Sequence, residues 1–397
     1  MRKGAVMGLK TSHVAIAGLG LIGGSLALRL VRSGVKVTAW NHREYPYENA
    51  RKNGIECVKN LEDLTACRPD ALVLCTPLKA IAQIASRLEK TWDENIVLTD
   101  VGSVKKQVRE DVKKAGLGEF YVGAHPMAGS EHSGFGSASH SLLDSALWAI
   151  TVDETTDANR FCKAADMIIN GCGNQAIVLD DDAHDRAAAM ISHMPHAVAT
   201  AMANTLAQSE DLNIANALSA GSWRDMTRVS LTDPQRTRAM IEENSQNVAK
   251  LLRGMASSLA GCADALECSD AAEKNAFLCE FFASADKYRD WKKKIANSAA
   301  AYEICRNAEE KNKRTIIPDV FSRPVGKQSD CNHSCQSDRE AQIPDSQTGD
   351  ARDQNKHWQN IFIESALAGE RIISLDESGV FTVSDAAALQ SFAPESV

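Results

Sequence analysis

Short apolar runs, each followed by an amphipathic segment, fill the first half of the chain. The runs "HVAIAGLG", "VKVTAWN", "ALVLCTP" and "NIVLTDVGS" have the length of buried strands, and segments such as "KAIAQIASRLEKTW" carry apolar residues at helical spacing. Strands that alternate with helices form parallel βαβ units. The pattern therefore predicts an α/β domain with a doubly wound parallel sheet, which we expect "EFYVGAHPMAG" and "ALWAITVD" to extend.

From about Asp182 the pattern changes to helices alone. Long segments such as "DDAHDRAAAMISHMPHAVATAMANTLAQ" and "QRTRAMIEENSQNVAKLLRGMASSLAGCADAL" carry apolar residues at helical spacing, with few β-branched runs. We predict an α/β domain over residues 1–181 and an all-helical domain over 182–313. The apolar helices of 184–265 exceed what one small domain can bury, so we expect this domain to pair with a second copy in a homodimer.

The C-terminal part of the chain is more polar. Residues 314–357 have almost no apolar content and cannot bury enough surface to order themselves, which predicts a disordered linker. We expect residues 358–397 to form a small C-terminal segment, in which "GERIISLDESGVFTVS" has the alternation of a short hairpin.

Composition excludes several classes of partner. The 397 residues are 44% hydrophobic and 24% charged, with a net charge of −8 and no dense Lys/Arg tract, so nucleic acid is not an expected partner. No apolar stretch reaches the ~18–20 residues of a membrane span, so no membrane association is expected. The 11 cysteines have no regular spacing, which is typical of reduced thiols in a cytoplasmic protein.

Glycines interrupt the first apolar run in a pattern that binds nucleotides. Gly18, Gly20 and Gly23 form G-x-G-x-x-G directly after a predicted strand and at the start of a helix. Gly18 permits the tight turn, Gly20 lets the backbone approach a pyrophosphate, and Gly23 allows the helix to pack closely on the strand. With Leu21 and Ile22 at the helix N-terminus, the motif predicts a Rossmann-type dinucleotide site. A glycine-rich packing turn is the alternative.

The end of the second predicted strand bears on the choice of dinucleotide. NAD sites usually place Asp or Glu there, on the ribose 2′-hydroxyl. This sequence has Asn41, His42 and Arg43 in that stretch, and its first acid is Glu44. Two side chains that can carry positive charge, without a carboxylate, suit a 2′-phosphate. We therefore expect NADP as the cofactor, with NAD as the alternative if His42 and Arg43 are solvated loop residues.

Reactive side chains follow three further predicted strands, at the edge where α/β sheets bind ligands. They are Thr76 and Pro77 after the first of these strands, Asp100, Ser103 and Lys105 after the next, and His125, Ser130 and Glu131 after the last. The small residues Thr76 and Pro77 suit the nicotinamide half of the cleft. Hydride abstraction from an alcohol carbon needs a base for the hydroxyl proton, and a histidine with a neighbouring serine suits that role. His125 is the candidate base, and a structural histidine that caps the turn is the alternative.

The helical domain offers a second set of polar candidates. His193 and His196 are three residues apart and share a face of a helix. No third ligand is evident nearby, so we expect one histidine to face the cleft, the other to pack, and neither to bind metal. Arg224, Asp225 and Arg228 lie within one or two turns of each other. An arginine there can clamp a substrate carboxylate or form a salt bridge with Asp225.

Five motifs in this order resemble one enzyme family. "GLGLIGGS", "DVGSVK", "GAHPMAGSEHSG", "SHMPHAV" and "SWRDMTR" together resemble the prephenate/arogenate dehydrogenases of tyrosine biosynthesis, over roughly residues 12–265. "HPMAG" and "SHMPH" are the most specific parts. The resemblance implies a Rossmann-type doubly wound sheet followed by an all-helical dimerisation domain. It also implies oxidative decarboxylation of prephenate to 4-hydroxyphenylpyruvate, or of arogenate to tyrosine, with a nicotinamide dinucleotide as oxidant.

The same resemblance gives roles to the candidate residues. His125 would be the catalytic base at the ring hydroxyl of the substrate, and Ser103 would hydrogen-bond both that hydroxyl and the histidine. Arg228 would bind a substrate carboxylate. The other residues in contact with the substrate would be His196, Ser130 and Glu131.

Other functions remain open at this stage. A different NADP-dependent dehydrogenase for 3-hydroxy acids would share the two-domain organisation, although such enzymes typically use a catalytic lysine. A dinucleotide sensor without catalysis would keep the glycine motif alone. No chorismate mutase segment precedes the glycine motif, so we expect no fused mutase activity, and the last hundred or so residues match no domain that the motifs identify.

Overall fold

The computed structural model describes residues 10–290, 292–293, 313–316, 351–367, 369–376 and 380–385. The first sheet has the spatial order β3-β2-β1-β4-β5, and all its strand pairs are parallel. Its strands are β1 (His13–Ala17), β2 (Lys36–Trp40), β3 (Glu56–Cys57), β4 (Ala71–Leu74) and β5 (Val97–Asp100). The helices of this part are α1 (Leu21–Arg32), α2 (Tyr47–Lys52), α3 (Asp63–Ala66), α4 (Ile81–Leu88) and α5 (Lys106–Lys114).

The predicted fold class, a doubly wound parallel sheet, is confirmed. β1 lies in the middle of the sheet, between β2 and β4. All residues of β4 and β5 are buried, because helices cover both faces of a parallel sheet. The strand order reverses between β1 and β4, and at such a point an open α/β sheet forms its ligand crevice. The glycine turn after β1 therefore lies at the mouth of that crevice.

A second sheet follows and departs from the sequence prediction. β6 (Gly123–Pro126) and β7 (Leu147–Thr151) are antiparallel, whereas β8 (Gln175–Leu179) is parallel to β7, with α6 (Ala158–Asp166) between them. The expectation that "EFYVGAHPMAG" and "ALWAITVD" would extend one parallel sheet is therefore wrong. A parallel pair needs a long crossover, usually a helix, and the segment between β6 and β7 contains only short 3-10 turns.

The described residues from 181 to 283 are helical apart from short connections. The α-helices are α7 (Asp181–Ala188), α8 (Met194–Ala207), α9 (Leu212–Leu218), α10 (Gly221–Thr227), α11 (Pro234–Glu243), α12 (Ser245–Glu267) and α13 (Ala271–Ala283). A π-helical turn, Ala189–His193, joins α7 to α8 without a break. Such turns are frequent at functional sites. In the part of the chain that the structure describes, no helix is long and apolar enough to cross a membrane.

The C-terminal elements join the second sheet. They are β9 (Lys313–Ile316), α14 (Ala351–Leu367), β10 (Glu370–Leu375) and β11 (Phe381–Asp385). β10 and β11 form the predicted hairpin, and β10 also pairs with β8, so that the sheet has the order β6-β7-β8-β10-β11-β9. The ends of the predicted linker 314–357 are thus ordered, as a strand and the start of a helix. The rest of that linker lies outside the described residues.

A cluster of aromatic rings holds α14 and the hairpin on the α/β domain. Phe161 of α6 packs against Trp358, Phe362 and Phe381, with ring-centroid distances of 4.9, 5.2 and 5.4 Å, and all four side chains are at most 1% exposed. A few large rings bury enough surface to hold a segment whose average composition is polar. The C-terminal segment therefore packs on the α/β domain rather than standing apart from it.

Candidate active site

The turn between β1 and α1 has the close backbone contacts that its glycines predict. Gly18 has a φ of +115°, and a Cβ there would clash with the carbonyl group of Cys75. A Cβ at Gly23 would clash with the carbonyl oxygen of Gly18, so the helix can pack this closely only on glycine. A Cβ at Gly20, by contrast, would meet nothing within 4 Å. The turn therefore has open space on its outer side.

This open space fits the pyrophosphate of a dinucleotide. It lies at the N-terminus of α1, where the N-cap residue Gly20 has no side chain to cap the helix and the first turn holds no acidic residue. The N–H groups of the first turn, which include those of Leu21 and Ile22, are available to an anion. Nearby, Oγ1 of Thr76 is buried without a partner among the described residues, and the exposed Pro77 follows it. The open helix N-terminus and the unpartnered Thr76 hydroxyl are therefore the candidate cofactor contacts.

Asn41, at the end of β2, bonds within the protein. Its buried side chain accepts a hydrogen bond from the N–H of Leu19 at 2.9 Å and donates one to the carbonyl oxygen of Arg43 at 2.8 Å. We assign Asn41 to the support of the glycine turn rather than to direct contact with a ligand. The side chains of His42 and Arg43 are exposed and make no hydrogen bond within the described residues. These two remain free to meet a ribose phosphate.

A buried ion pair ties β5 to β6. Lys105 and Asp100 are fully buried, and Nζ of Lys105 donates to the Asp100 carboxylate and to the carbonyl oxygen of Ala124 at 2.8 Å. The same carboxylate accepts a hydrogen bond from the hydroxyl of Tyr121 at 2.8 Å. Burial lowers the pKa of Lys105, and the Asp100 carboxylate opposes that shift. Both residues thus support the neighbouring His125 instead of facing the crevice.

His125, the candidate base, is the third residue of β6 and is half-buried. Its Nδ1 lies 3.0 Å from Nε2 of His184 in α7, and Nδ1 of His184 lies 2.8 Å from Oδ1 of Asp185. Burial lowers the pKa of His125 well below its ordinary value of 6.5, and the nearby His184, Lys105 and His193 lower it further. The imidazole is therefore neutral at physiological pH, with one ring nitrogen held and the other available to a substrate.

Ser103 lies in the loop between β5 and α5 and is half-buried. Across the described ranges, no hydrogen bond joins its hydroxyl to His125. The contact that the resemblance implies between them is therefore not present here, and the bond that the ring of His125 makes is from Nδ1 to His184. The Ser103 hydroxyl is thus left to interact with other groups in the crevice.

The two histidines of "SHMPH" differ in their surroundings. His193 is fully buried, with Nδ1 3.1 Å from Nδ2 of Asn244, and burial lowers its pKa to about 4. His196 is half-buried, with Nδ1 2.9 Å from the carbonyl oxygen of Ser192 and Nε2 3.4 Å from Oγ1 of Thr232. His193 is thus the histidine that packs, and His196 remains the candidate to face the cleft.

Arg228 and Glu131 face each other from the helical and the α/β parts of the chain. Nη1 of Arg228 lies 4.0 Å from Oε2 of Glu131, and the two side chains are 60% and 35% exposed. Arg236 of α11 donates a hydrogen bond to the carbonyl oxygen of Ser130 at 2.8 Å. The loop that follows His125 is thereby held against α11, close to the 3-10 turn Arg228–Leu231 that begins with Arg228. The structure thus brings the loop of the candidate base together with the candidate carboxylate clamp.

Sequence reasoning missed His184 and Asp185. They lie in "DDAHDR", which has the ordinary composition of the first turns of an exposed helix. No spacing links them to His125, since the contact depends on how α7 packs beside β6. A histidine followed by an aspartate shortly after a predicted strand is the only local signal, and by itself it is weak.

Two family models match the chain. One, described as "Prephenate dehydrogenase, nucleotide-binding domain", matches residues 26–178. The other, described as "Prephenate dehydrogenase, dimerization domain", matches residues 180–283. Together they span both the α/β part and the helical part, and neither includes the C-terminal elements.

Similar proteins carry related names. A crystal structure of prephenate dehydrogenase from A. aeolicus, in complex with hydroxyphenyl propionate and NAD+, has 28% identity and a TM-score of 0.64, covering 71% of this chain and 98% of that chain. The structure of Synechocystis arogenate dehydrogenase has 27% identity and a TM-score of 0.59, and the match covers 70% of this chain and 99% of that chain. Cyclohexadienyl dehydrogenase from Zymomonas mobilis is 26% identical over 283 residues, which are 70% of this chain and 94% of that protein.

Proposed function

Because the chain belongs to the prephenate/arogenate dehydrogenase family, we propose that it oxidises and decarboxylates prephenate to 4-hydroxyphenylpyruvate in tyrosine biosynthesis. The observation that carries the proposal is the position of His125. It is a neutral imidazole on β6, the strand that Lys105 ties to Asp100 at the end of β5, and one of its ring nitrogens is held by His184. A base in that place suits a reaction that removes a proton and a hydride from one alcohol group.

The glycine turn, Gly18–Gly23, would hold the pyrophosphate of the cofactor, and Thr76 and Pro77 would line its nicotinamide half. The bound nicotinamide would supply the hydride acceptor for the ring carbon that carries the hydroxyl. We further propose NADP as the preferred dinucleotide. His42 and Arg43 are exposed directly after β2, where NAD sites usually place a carboxylate that would repel a 2′-phosphate, and the guanidinium of Arg43 would attract that phosphate.

His125 would take the proton of the substrate ring hydroxyl on Nε2. A neutral ring is required for this step, and the lowered pKa of His125 keeps it neutral. The hydroxyl of Ser103, which has no bond to His125, would bind the same substrate hydroxyl and orient it toward the base. The two groups thus fix the position of the atom that is oxidised.

Decarboxylation then needs no further acid or base from the chain. The ketone that forms is conjugated through the ring to the carbon that carries the carboxylate, so it receives the electron pair that CO2 leaves behind. The product ring is aromatic, which makes this step strongly favourable. His196 and Arg228 would hold the substrate in place, with the guanidinium of Arg228 on a carboxylate.

Arogenate is a second candidate substrate, and one observation favours it. Arogenate carries an amino group where prephenate has a keto group. The Glu131 carboxylate, 4.0 Å from Arg228, could pair with an ammonium group beside the carboxylate that Arg228 binds. A substrate with both charges would then match the Arg228–Glu131 pair.

We also infer a homodimer formed through the helical part. The matched family model is described as a dimerization domain. Large apolar side chains of this part are exposed in the single chain: Met190, Ile191, Ile214, Leu218, Met226, Leu231, Leu259 and Leu266. A second copy would cover this surface, since monomers rarely expose apolar patches of that extent.

The formation of reduced dinucleotide, measured with prephenate, arogenate or a 3-hydroxy acid and with NAD and NADP in parallel, tests the proposal. Turnover of prephenate or arogenate supports it. Turnover of the 3-hydroxy acid alone would identify a different dehydrogenase, and no turnover of any substrate would favour a dinucleotide sensor.

The variant His125→Asn tests the base. It should lower kcat by about a hundredfold or more and leave KM within a few-fold, because the step loses its proton acceptor but keeps its binding contacts. His140→Asn is the matched control, since His140 bonds to Arg32 near the surface. Near-normal turnover by His125→Asn would remove the assigned base.

A further inference from the structure

Three side chains form a continuous hydrogen-bonded chain behind the candidate base. Nδ1 of His125 bonds to Nε2 of His184 at 3.0 Å, and Nδ1 of His184 bonds to the Asp185 carboxylate at 2.8 Å. His184 and Asp185 are 3% and 4% exposed. We propose that His184 and Asp185 are positioning residues that hold His125 in the tautomer with a free Nε2, the form that can accept the substrate proton. The proposal rests on the base role of His125 given above.

Asp185 lies at the far end of the three side chains, and its carboxylate can only accept hydrogen bonds. The backbone N–H groups of Lys105 and Lys106, at the N-terminus of α5, donate to Oδ1 and Oδ2 at 2.8 and 3.0 Å. An ionised carboxylate offers acceptors alone, and two fixed N–H donors stabilise that ionised form. Any ring nitrogen that faces Asp185 must therefore carry a proton.

This condition assigns the protons of His184. Its Nδ1 faces the carboxylate and donates to it, so in the neutral ring Nε2 has a lone pair and must accept. Nε2 of His184 faces Nδ1 of His125. The proton in that bond therefore belongs to His125.

The proton on Nδ1 of His125 leaves its other ring nitrogen free to react. In the neutral ring Nε2 then has no proton and can act as a base. When Nε2 takes the proton of the substrate hydroxyl, Nδ1–H still donates to His184 and no proton needs to leave the three side chains. The negative charge of Asp185, relayed by the polarised ring of His184, stabilises the imidazolium that forms. The aspartate of a serine protease triad holds its catalytic histidine in the same sense, although there the contact is direct.

Nitrogen-15 NMR of histidine-labelled enzyme measures the tautomer directly, with the signals of His125 assigned by their absence in His125→Asn. We expect the neutral wild-type ring of His125 to be protonated at Nδ1. Asp185→Asn can present an amide N–H to His184, which reverses both rings, so the spectrum should change to an Nε2-protonated His125. A wild-type ring protonated at Nε2 would overturn the inference.

Turnover gives an independent readout. Asp185→Asn and His184→Leu should each lower kcat by about a hundredfold or more with little change in KM, as an aspartate-to-asparagine change does in a serine protease triad. His184→Gln should restore most of the kcat lost in His184→Leu, since its amide can donate to Asp185 and accept from His125. His140→Leu is the control for the loss of a histidine, and thermal unfolding shows which variants fold.

The outcomes separate this inference from the proposed function. Wild-type kcat in folded His184→Leu, or no difference between the Leu and Gln variants, would overturn the positioning role while His125→Asn still loses activity. Normal turnover in His125→Asn would instead overturn the base assignment, and the Nδ1-protonated tautomer would then support only the hydrogen-bonded arrangement.

Discussion

Among the residues at the sheet edge, hydrogen-bond partners decide which side chain is free to react. Asp100, Lys105 and Asn41 lie at or after the ends of strands, where ligands bind, yet the structure commits their polar atoms to other protein groups. His125 differs because only one of its ring nitrogens has a partner among the described residues. An exposed Arg43 likewise has its guanidinium available. The chemical role of each residue thus depends on which of its polar atoms remain unbonded.

The preference for NADP is tested by Arg43→Ala. A hydrogen bond between charged groups contributes about 1.5–3 kcal/mol, so the change should raise KM for NADP by about tenfold or more. KM for NAD should stay within about twofold, because NAD has no 2′-phosphate. Initial rates with both dinucleotides measure this, and Lys52→Ala, an exposed cation on α2, is the control. An unchanged KM for NADP would identify Arg43 as a solvated loop residue.

The pH profile of kcat/KM should reflect the surroundings of His125. Protonated His125 cannot accept the substrate proton, so activity falls when pH falls below its pKa. Burial lowers that pKa well below 6.5, and Lys105 beside β5, His184 in α7 and His193 in the π-helical turn lower it further. We therefore expect a flat profile through pH 6.5 and a loss only at more acidic pH. A loss that begins near pH 7 would contradict this environment for the base.

At the scale of elements, two turns position the site. The glycine turn brings α1 against β1 and leaves open space at the helix N-terminus. The π-helical turn Ala189–His193 lies between α7, which carries His184, and α8, which carries His196. One continuous helical segment therefore supplies both the support of the base and a candidate substrate ligand. A small change in this segment would move both groups together.

Substitutions in the glycine turn separate folding from binding. Gly20→Ala should fold with nearly wild-type stability, because its Cβ meets nothing within 4 Å, and should bind the dinucleotide weakly, because the methyl group fills the space for the pyrophosphate. Gly23→Ala should lower the free energy of unfolding by about 1–3 kcal/mol through overpacking. Urea unfolding and dinucleotide titration measure the two effects.

Gly254→Ala is the matched control for the glycine turn. Gly254 lies in α12, and a Cβ there also meets nothing within 4 Å. This variant should bind the dinucleotide normally and gain about 0.5–1 kcal/mol in stability from helix propensity. Normal dinucleotide binding by Gly20→Ala would argue against the pyrophosphate position.

At the scale of the whole molecule, apolar surface is buried in the α/β part and left exposed in the helical part. The α/β part is closed on its C-terminal side by α14 and the hairpin, whose rings pack on Phe161. The helical part has large exposed apolar side chains, such as Leu218 at 77% and Leu231 at 73%. The α/β part thus buries its apolar side chains within one chain. The exposed apolar side chains of the helical part form the surface that we expect a second copy to cover.

Charge placed on the helical surface should dissociate the dimer. Ile214→Glu and Leu218→Glu each put a carboxylate on α9. In the single chain the native side chain of Ile214 is 60% exposed and that of Leu218 is 77% exposed. Size-exclusion chromatography with light scattering should show monomers for both variants at concentrations where the wild type is a dimer. Leu367→Glu, on a side chain of α14 that is also 77% exposed, is the control and should stay a dimer. If both α9 variants remained dimers, this surface could not be the dimer interface.

The sequence alone determined the features that depend on neighbouring residues. Hydrophobic periodicity predicted the parallel sheet and the helices after Asp182, and the glycine spacing predicted the turn after β1, because each pattern is complete within a short stretch. The motifs also predicted His125, Arg228 and Glu131 as candidates, since their side chains have the chemistry that the reaction needs. All of these inferences rely on local order along the chain.

Tertiary structure alone decided the contacts between distant segments. It made β6 and β7 antiparallel, seated the aromatic C-terminal segment on Phe161, and placed His184 behind His125. The linker prediction failed at its ends because β9 pairs with the distant β11, and because residues 351–357 begin the helix that Trp358 and Phe362 anchor. Hydrogen bonds and ring contacts act over a few ångströms in space, whatever the separation in sequence, so no local pattern encodes which partner a side chain meets.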